Sequence, residues 1–189
     1  TGQNYDYELD KIFFKELNVL SPDYYLGAKG SFPEQLSTIS KGLEKIILRE
    51  KPEKFVVLGD TNSSLGAIVA KRLKLKIYHL EAGNRSYLKN SPEEVNRKII
   101  DHVSDINLPY TQRSCENLIS EGIKRKNVFI IGNPIFEVMN FYSEKINNFK
   151  ILKKLNLNPN DFILCTLHRE ENIENLNNLK SYLLFMKKI

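Results

Sequence analysis

Short runs of β-branched and aromatic residues alternate with longer stretches of helical periodicity along this chain. That alternation limits its fold more than any other feature. The short runs fall at residues 55–58, 76–79, 106–108, 128–131 and 162–166. Between them, residues 35–49, 64–73, 94–102, 112–121 and 135–146 repeat apolar side chains at three- and four-residue intervals. In the first of these, Leu36, Ile39, Leu43, Ile46 and Ile47 share one face. Asn62 and Thr111 stand where helix N-caps are expected, and Gly122 where a helix should stop. Strands alternating with helices of this length predict an α/β fold with a parallel sheet and crossover helices.

The chain has 189 residues, enough for one domain or one and a fraction. Lys and Arg number 28 against 23 Asp and Glu, a net charge of +5. The cations are dispersed rather than massed in a stripe, which argues against a nucleic-acid partner. Cys115 and Cys165 have neither metal-ligand spacing nor a disulfide framework, which indicates a reducing compartment. His79, His102 and His168 form no zinc-type cluster, so no metal is expected. No apolar run approaches the roughly 18 residues that a membrane span needs, so the chain reads as cytoplasmic, without a membrane partner.

Both ends read as cut, because the chain opens on Thr1 rather than Met and closes at Ile189 inside a helical pattern. The polar, Asn- and Lys-rich stretch at 147–159 reads as a join. The expected organisation is a first domain over 1–147, and a linker with the start of a second over 148–189.

In open α/β sheets, ligands bind beyond the carboxyl ends of the strands. That rule selects the loops at 59–63, 80–85, 131–134 and 167–172. Asp60 follows the first strand and Glu81 the second, while Glu93 and Glu94 open a helix. Carboxylates gathered at strand ends raise one another's pKa, which suits acid–base chemistry near neutral pH. Each has a plainer reading. Asp60 can cap the helix beginning beside it, and Glu93 and Glu94 after Pro92 suit the positive end of a helix dipole. Glu81 has no evident capping role. His168 and Arg169 follow the last short run and can meet an anion, or can belong to a solvated charge run. Gly132-Asn133-Pro134 reads best as a strand-to-helix turn. There is no G-x-G-x-x-G and no P-loop, so a firmly held dinucleotide or an ATP-hydrolysing site has no support. Cys115 and Cys165 read as packing residues.

The same loops carry a family resemblance. Thr-Gly-Gln-Asn-Tyr-Asp at 1–6, Gly-Asp-Thr-Asn-Ser at 59–63, His-Leu-Glu-Ala-Gly at 79–83, Pro-Glu-Glu-Val-Asn-Arg at 92–97 and His-Arg-Glu-Glu-Asn at 168–172 stand in order. Together they resemble the non-hydrolysing UDP-N-acetylglucosamine 2-epimerase family. Asn84, the run at 101–107 and that at 134–138 look like its branch acting on UDP-2-acetamido-2,6-dideoxy-L-talose, which leads to UDP-N-acetyl-L-fucosamine.

The resemblance implies two Rossmann-like domains of GT-B type, with a first strand missing before Thr1 and most of the second domain missing after Ile189. It implies C2 epimerisation of a UDP-2-acetamido sugar by elimination and re-addition of UDP, for surface polysaccharide such as lipopolysaccharide or capsule. Carried over residue by residue, Asp60, Glu81 and Glu93 match the family's catalytic acids, and His168 its functional histidine near the diphosphate. Gln3, Asn62, Arg85, Asn96, Arg97 and Arg169 match substrate-binding positions. No metal or redox cofactor is implied, and a homodimer is implied at full length. Lacking parts that grip the substrate, the chain is expected not to turn over alone. A hydrolysing relative that releases free sugar and a non-catalytic remnant on the same scaffold remain as alternatives. The motif order argues against a GT-B glycosyltransferase.

Overall fold

The computed structural model describes residues 1, 11–87, 91–166 and 176–187. Two compact units are present, Thr1–Phe136 and Glu137–Ile189. This division falls ahead of the one expected after residue 147.

The first unit holds a parallel sheet of β1 (Lys54–Leu58), β2 (Lys76–Leu80) and β3 (Ile106–Leu108), in that spatial order. The register pairs Val57 with His79 and His79 with Asn107 across the three strands. Ahead of the sheet come α1 (Lys11–Glu16) and α2 (Phe32–Glu50). A 3-10 turn (Asn62–Leu65) and α3 (Gly66–Arg72) connect β1 to β2, and α4 (Pro92–Val103) precedes β3. After β3 comes α5 (Gln112–Ser120).

The period-2 geometry of a strand places Val57, Ile77, His79 and Asn107 on one face, and all four are buried. The core joins Val57, Leu65, Ala67, Ala70, Leu75 and Ile77 to Ile47 of α2 and Ile100 of α4. A fully buried Ile such as Ile77 is worth about 1.5–3 kcal/mol of transfer free energy.

Local signals behave as their chemistry dictates. Ser91 and Thr111 cap α4 and α5, their hydroxyls accepting from the Glu94 and Ser114 amides at 3.1 Å. Gly122, at φ +92°, ends α5. The Gly122 amide donates to Ile119 O and the Ile123 amide to Leu118 O, a Schellman arrangement sealed by Ile123 packing on Leu118. Asn62 is not the N-cap it was expected to be. Thr61 holds the position before the 3-10 turn, and the Asn62 side chain instead donates to Gln35 Oε1 at 3.1 Å.

Two expected strands do not form. In the segment at 128–131 only Val128 bridges to Asn107, although the Phe129 and Ile131 amides donate to Asn107 O and Pro109 O, each at 3.0 Å. Pro109 has no N–H to return, so the ladder stays one-sided. The residues at 162–166 have no strand partner among the described residues.

The second unit consists of short helices. The helix α6 (Ile135–Phe141) begins at its edge, followed by α7 (Ser143–Asn148), α8 (Ile151–Lys154) and α9 (Leu176–Met186). None of its described residues is buried.

Candidate active site

Parallel pairing of β1 with β2 brings the residues after both strands side by side. The Gly59 amide donates to Leu80 O at 3.1 Å, and the Glu81 amide to Leu108 O at 3.2 Å, so the three strand ends are sewn together. Asp60 and Glu81 therefore face a common region. A Cβ added to Gly59 would sit 3.4 Å from Glu81 Oε2. Glu81 adopts φ +66°, a left-handed conformation that is uncommon for a residue with a side chain.

The two acids have opposite settings. Asp60 is paired with Arg97 of α4, whose Nε donates to Asp60 Oδ2 at 3.0 Å and whose terminal nitrogen also reaches that oxygen. Its carboxylate is thus held by a guanidinium rather than capping the neighbouring turn. Glu81 receives a hydrogen bond from Asn84 Nδ2 at 3.1 Å and, among the described residues, forms no ion pair. Burial and the neighbouring Asp60 charge push the Glu81 carboxyl above its usual range. A carboxyl group whose pKa is raised, standing beside one held in an ion pair, suits acid–base chemistry.

Helix α4 sets much of this geometry. Glu94, Arg97 and Asp101 recur at intervals of three and four, so one face carries all three toward the strand-end loops. Glu94 is 1% exposed and accepts from the Ser86 amide (2.8 Å), the Ser86 hydroxyl (3.0 Å) and Arg97 (3.2 Å). Burial works to raise its pKa. The Ser86 hydrogen bonds and the Arg97 and Lys98 charges outweigh it and hold the carboxyl low. Glu93, the acid singled out by the sequence, lies on the same first turn with an exposed side chain. The carboxylate tied through Arg97 to Asp60 is Glu94. Asn96 Nδ2 donates to Asp60 O at 2.9 Å and Asn62 Oδ1 at 3.1 Å, so Asn96 and Asn62 brace the Asp60 loop.

Arg85 needs correcting. It was expected on the substrate, but its side chain is 1% exposed and its donors are committed. Nε donates to Glu121 at 2.8 Å, one terminal nitrogen to Asn84 O at 2.6 Å, and the other to Asp101 at 2.8 Å. Burial disfavours its charge, yet Glu121 and Asp101 more than compensate and raise its pKa. A guanidinium so enclosed secures the loop after β2 and is not offered to a ligand. Gln3, His168 and Arg169 lie outside the described residues.

Two participants escaped the sequence reading. Tyr110, past the end of β3, has its phenol pKa raised by burial and by the Glu81 charge, which places it near that acid. Asp101 is fully buried and accepts from the Gly83 amide at 3.2 Å. Charged residues at the inward positions of an otherwise amphipathic α4 were the signal that could have found Asp101. Tyr110 had no such signal.

Known proteins resemble this chain in sequence and in fold. The model of the UDP-N-acetylglucosamine 2-epimerase family matches residues 1–189. The chain is 42% identical over 185 residues to a UDP-N-acetylglucosamine 2-epimerase homolog of Methanococcus maripaludis, covering 96% of this chain and 52% of that protein. It is 38% identical over 179 residues to the UDP-2,3-diacetamido-2,3-dideoxy-D-glucuronate 2-epimerase of Pseudomonas aeruginosa, covering 92% of this chain and 49% of that protein. The crystal structure of the Methanocaldococcus jannaschii UDP-GlcNAc 2-epimerase, in complex with UDP-GlcNAc and UDP, superposes with a TM-score of 0.91 at 38% identity. That match covers 100% of this chain and 53% of the other. The chain thus spans about half the length of the relatives it matches, and its α/β, Rossmann-like parallel sheet is that of the GT-B epimerases. In sequence and in fold alike, the chain belongs to the UDP-N-acetylglucosamine 2-epimerase family.

Proposed function

We propose that this chain provides the acid-bearing half of an isomerase that inverts C2 of a UDP-linked 2-acetamido sugar. The reaction is elimination followed by re-addition. A carboxylate takes the C2 proton as UDP leaves C1, and UDP returns while a proton is delivered to the opposite face. The C2–H bond is not activated by a carbonyl, so departure of the anionic diphosphate supplies much of the driving force. Glu81, Asp60 and Glu93 are the proposed proton-handling groups, with His168 and Arg169 at the diphosphate. Gln3, Asn62, Asn96 and Arg97 complete the substrate-side set.

The observation that carries this reading is the contrast at the strand ends. Asp60 is neutralised by Arg97, while the pKa of Glu81 is raised by burial and by Asp60. The relatives named above act on UDP-GlcNAc or a UDP-diacetamido glucuronate, which supports a UDP-sugar here. Asn84 and the runs at 101–107 and 134–138 favour UDP-2-acetamido-2,6-dideoxy-L-talose over UDP-N-acetylglucosamine. The setting is surface-polysaccharide synthesis in the cytoplasm by a homodimer, and the 189-residue chain alone does not turn over.

The test is incubation of the full-length protein with each UDP-sugar in deuterated water, read by proton NMR. Epimerised UDP-sugar carrying deuterium at C2 is the expected product. Glu81→Gln is expected to lower kcat roughly 100- to 10,000-fold, the span of a lost acid–base group. Free sugar and UDP as the sole products would identify a hydrolase instead.

A further inference from the structure

His79 is the fourth of the five residues of the central strand, fully buried, and both of its ring nitrogens are engaged. Nδ1 lies 2.8 Å from Asp101 Oδ1, and Nε2 lies 3.1 Å from the Gly59 carbonyl oxygen. A carbonyl oxygen can only accept, so Nε2 carries a proton. Asp101 also takes Arg85 at 2.8 Å on Oδ2 and the Gly83 amide at 3.2 Å on Oδ1, the setting of an ionised carboxylate. An ionised Asp101 can only accept as well, so Nδ1 must carry a second proton.

The surrounding charges accommodate that state. Asp101 and Arg85 are both buried, and Arg85 also pairs with Glu121, whose side chain is 28% exposed. A cationic His79 gives those two carboxylates two cations, itself and Arg85. The other charged side chains of this neighbourhood are Glu81, Asp60 and the Arg97 that pairs with Asp60.

We propose that His79 is held as an imidazolium strut between Asp101 and the Gly59 carbonyl, and that it is a positioning residue for Glu81. It ties the loop carrying Asp60 to the one carrying Glu81, because Asp101 grips that second loop through Gly83 and Arg85. The positioning role rests on the acid–base reading above; the charge state of His79 does not. The ring never touches the substrate in this scheme. Its two effects are fixed spacing between the acids and a positive charge beneath Glu81.

Nitrogen-15 NMR of histidine-labelled full-length protein, with signals assigned through His79→Gln, reads the charge state directly. Both ring nitrogens of His79 are expected to remain protonated at pH 8, where an ordinary histidine of pKa about 6.5 has lost one proton. A singly protonated ring at pH 7 overturns the strut. In turnover, His79→Gln is expected to lower kcat roughly 10- to 100-fold while KM changes little, as for a small misplacement of a reacting group. It should also move the acid limb of kcat/KM to higher pH, because Glu81 loses a neighbouring cation that favours its ionised form. An unshifted limb overturns the positioning role, as does unchanged kcat. Asp101→Asn, close in shape, is the second variant should His79→Gln fail to fold, and it is expected to leave His79 singly protonated at pH 8. Absence of turnover by the wild-type protein sinks the epimerase reading and the positioning role with it, while the NMR result still judges the strut.

Discussion

The units Thr1–Phe136 and Glu137–Ile189 are built from the same kinds of segment yet differ in one respect. In the first, three of the β-branched runs pair as strands, and one sheet face disappears under α2, α3 and α4. In the second, an equally apolar run stays open. Ile77 is fully buried, whereas Ile163 and Leu164 are 77% and 82% exposed. Apolar content alone does not make a core. A strand in a parallel sheet needs a neighbour on its edge and a helix on its face, and both come from elsewhere in the chain.

The largest expected effect tests this contrast directly. Ile77→Ala should cost about 2–5 kcal/mol of unfolding free energy, whereas Leu164→Ala should stay within roughly 0.5 kcal/mol. Urea titration of each variant decides it, and equal losses would mean that the second unit has a core after all.

A smaller difference separates two glycines of the first unit. A Cβ on Gly83 would lie 2.2 Å from Ser114 O and 2.8 Å from Leu118 Cγ, at a backbone φ of +77°. Gly83→Ala is expected to cost about 2–4 kcal/mol through both strain and overlap. Gly122, at φ +92°, has open space around it, so Gly122→Ala should cost only about 1 kcal/mol. Thermal unfolding of the two variants ranks them, and a reversed order would mean that the loop after β2 is not clamped against α5.

The mildest effect is on acid stability. Hydrogen bonds from Arg85 hold the Glu121 carboxyl low, and at Asp105 burial is outweighed by the Ile77 amide and Lys71. The folded chain therefore takes up protons at these sites less readily than the unfolded chain. The stability they supply is complete above the ordinary carboxylate pKa of about 4 and drains away as pH falls through the lower folded values. Glu81 runs the other way, since its raised carboxyl makes stability decline as pH rises from that range. Glu121→Gln should flatten the acid side of a stability–pH curve measured by denaturant titration, and an unaltered slope would show that the Arg85 pair contributes nothing there.

How far the site was legible depends on the kind of residue. Asp60 and Glu81 were visible because each follows an apolar run at a strand end, a position that pattern alone defines. That Glu94 is buried and Glu93 exposed was not, because it turns on the rotation of α4 about its axis, the helix packing inward through Ile100. Arg85 was misread for a related reason. Its partners Asp101 and Glu121 lie 16 and 36 residues further along, and only the fold brings them to its guanidinium.

By itself, then, the sequence determined the alternation of elements, the helix caps at Thr111 and Gly122, and which loops carry acids. All of these follow from interactions within a few residues of chain. The tertiary structure alone decided which runs became strands, which carboxylates were neutralised and that His79 lies between two acceptors. Burial and charge pairing are properties of neighbours in space, and no short stretch of chain contains both partners.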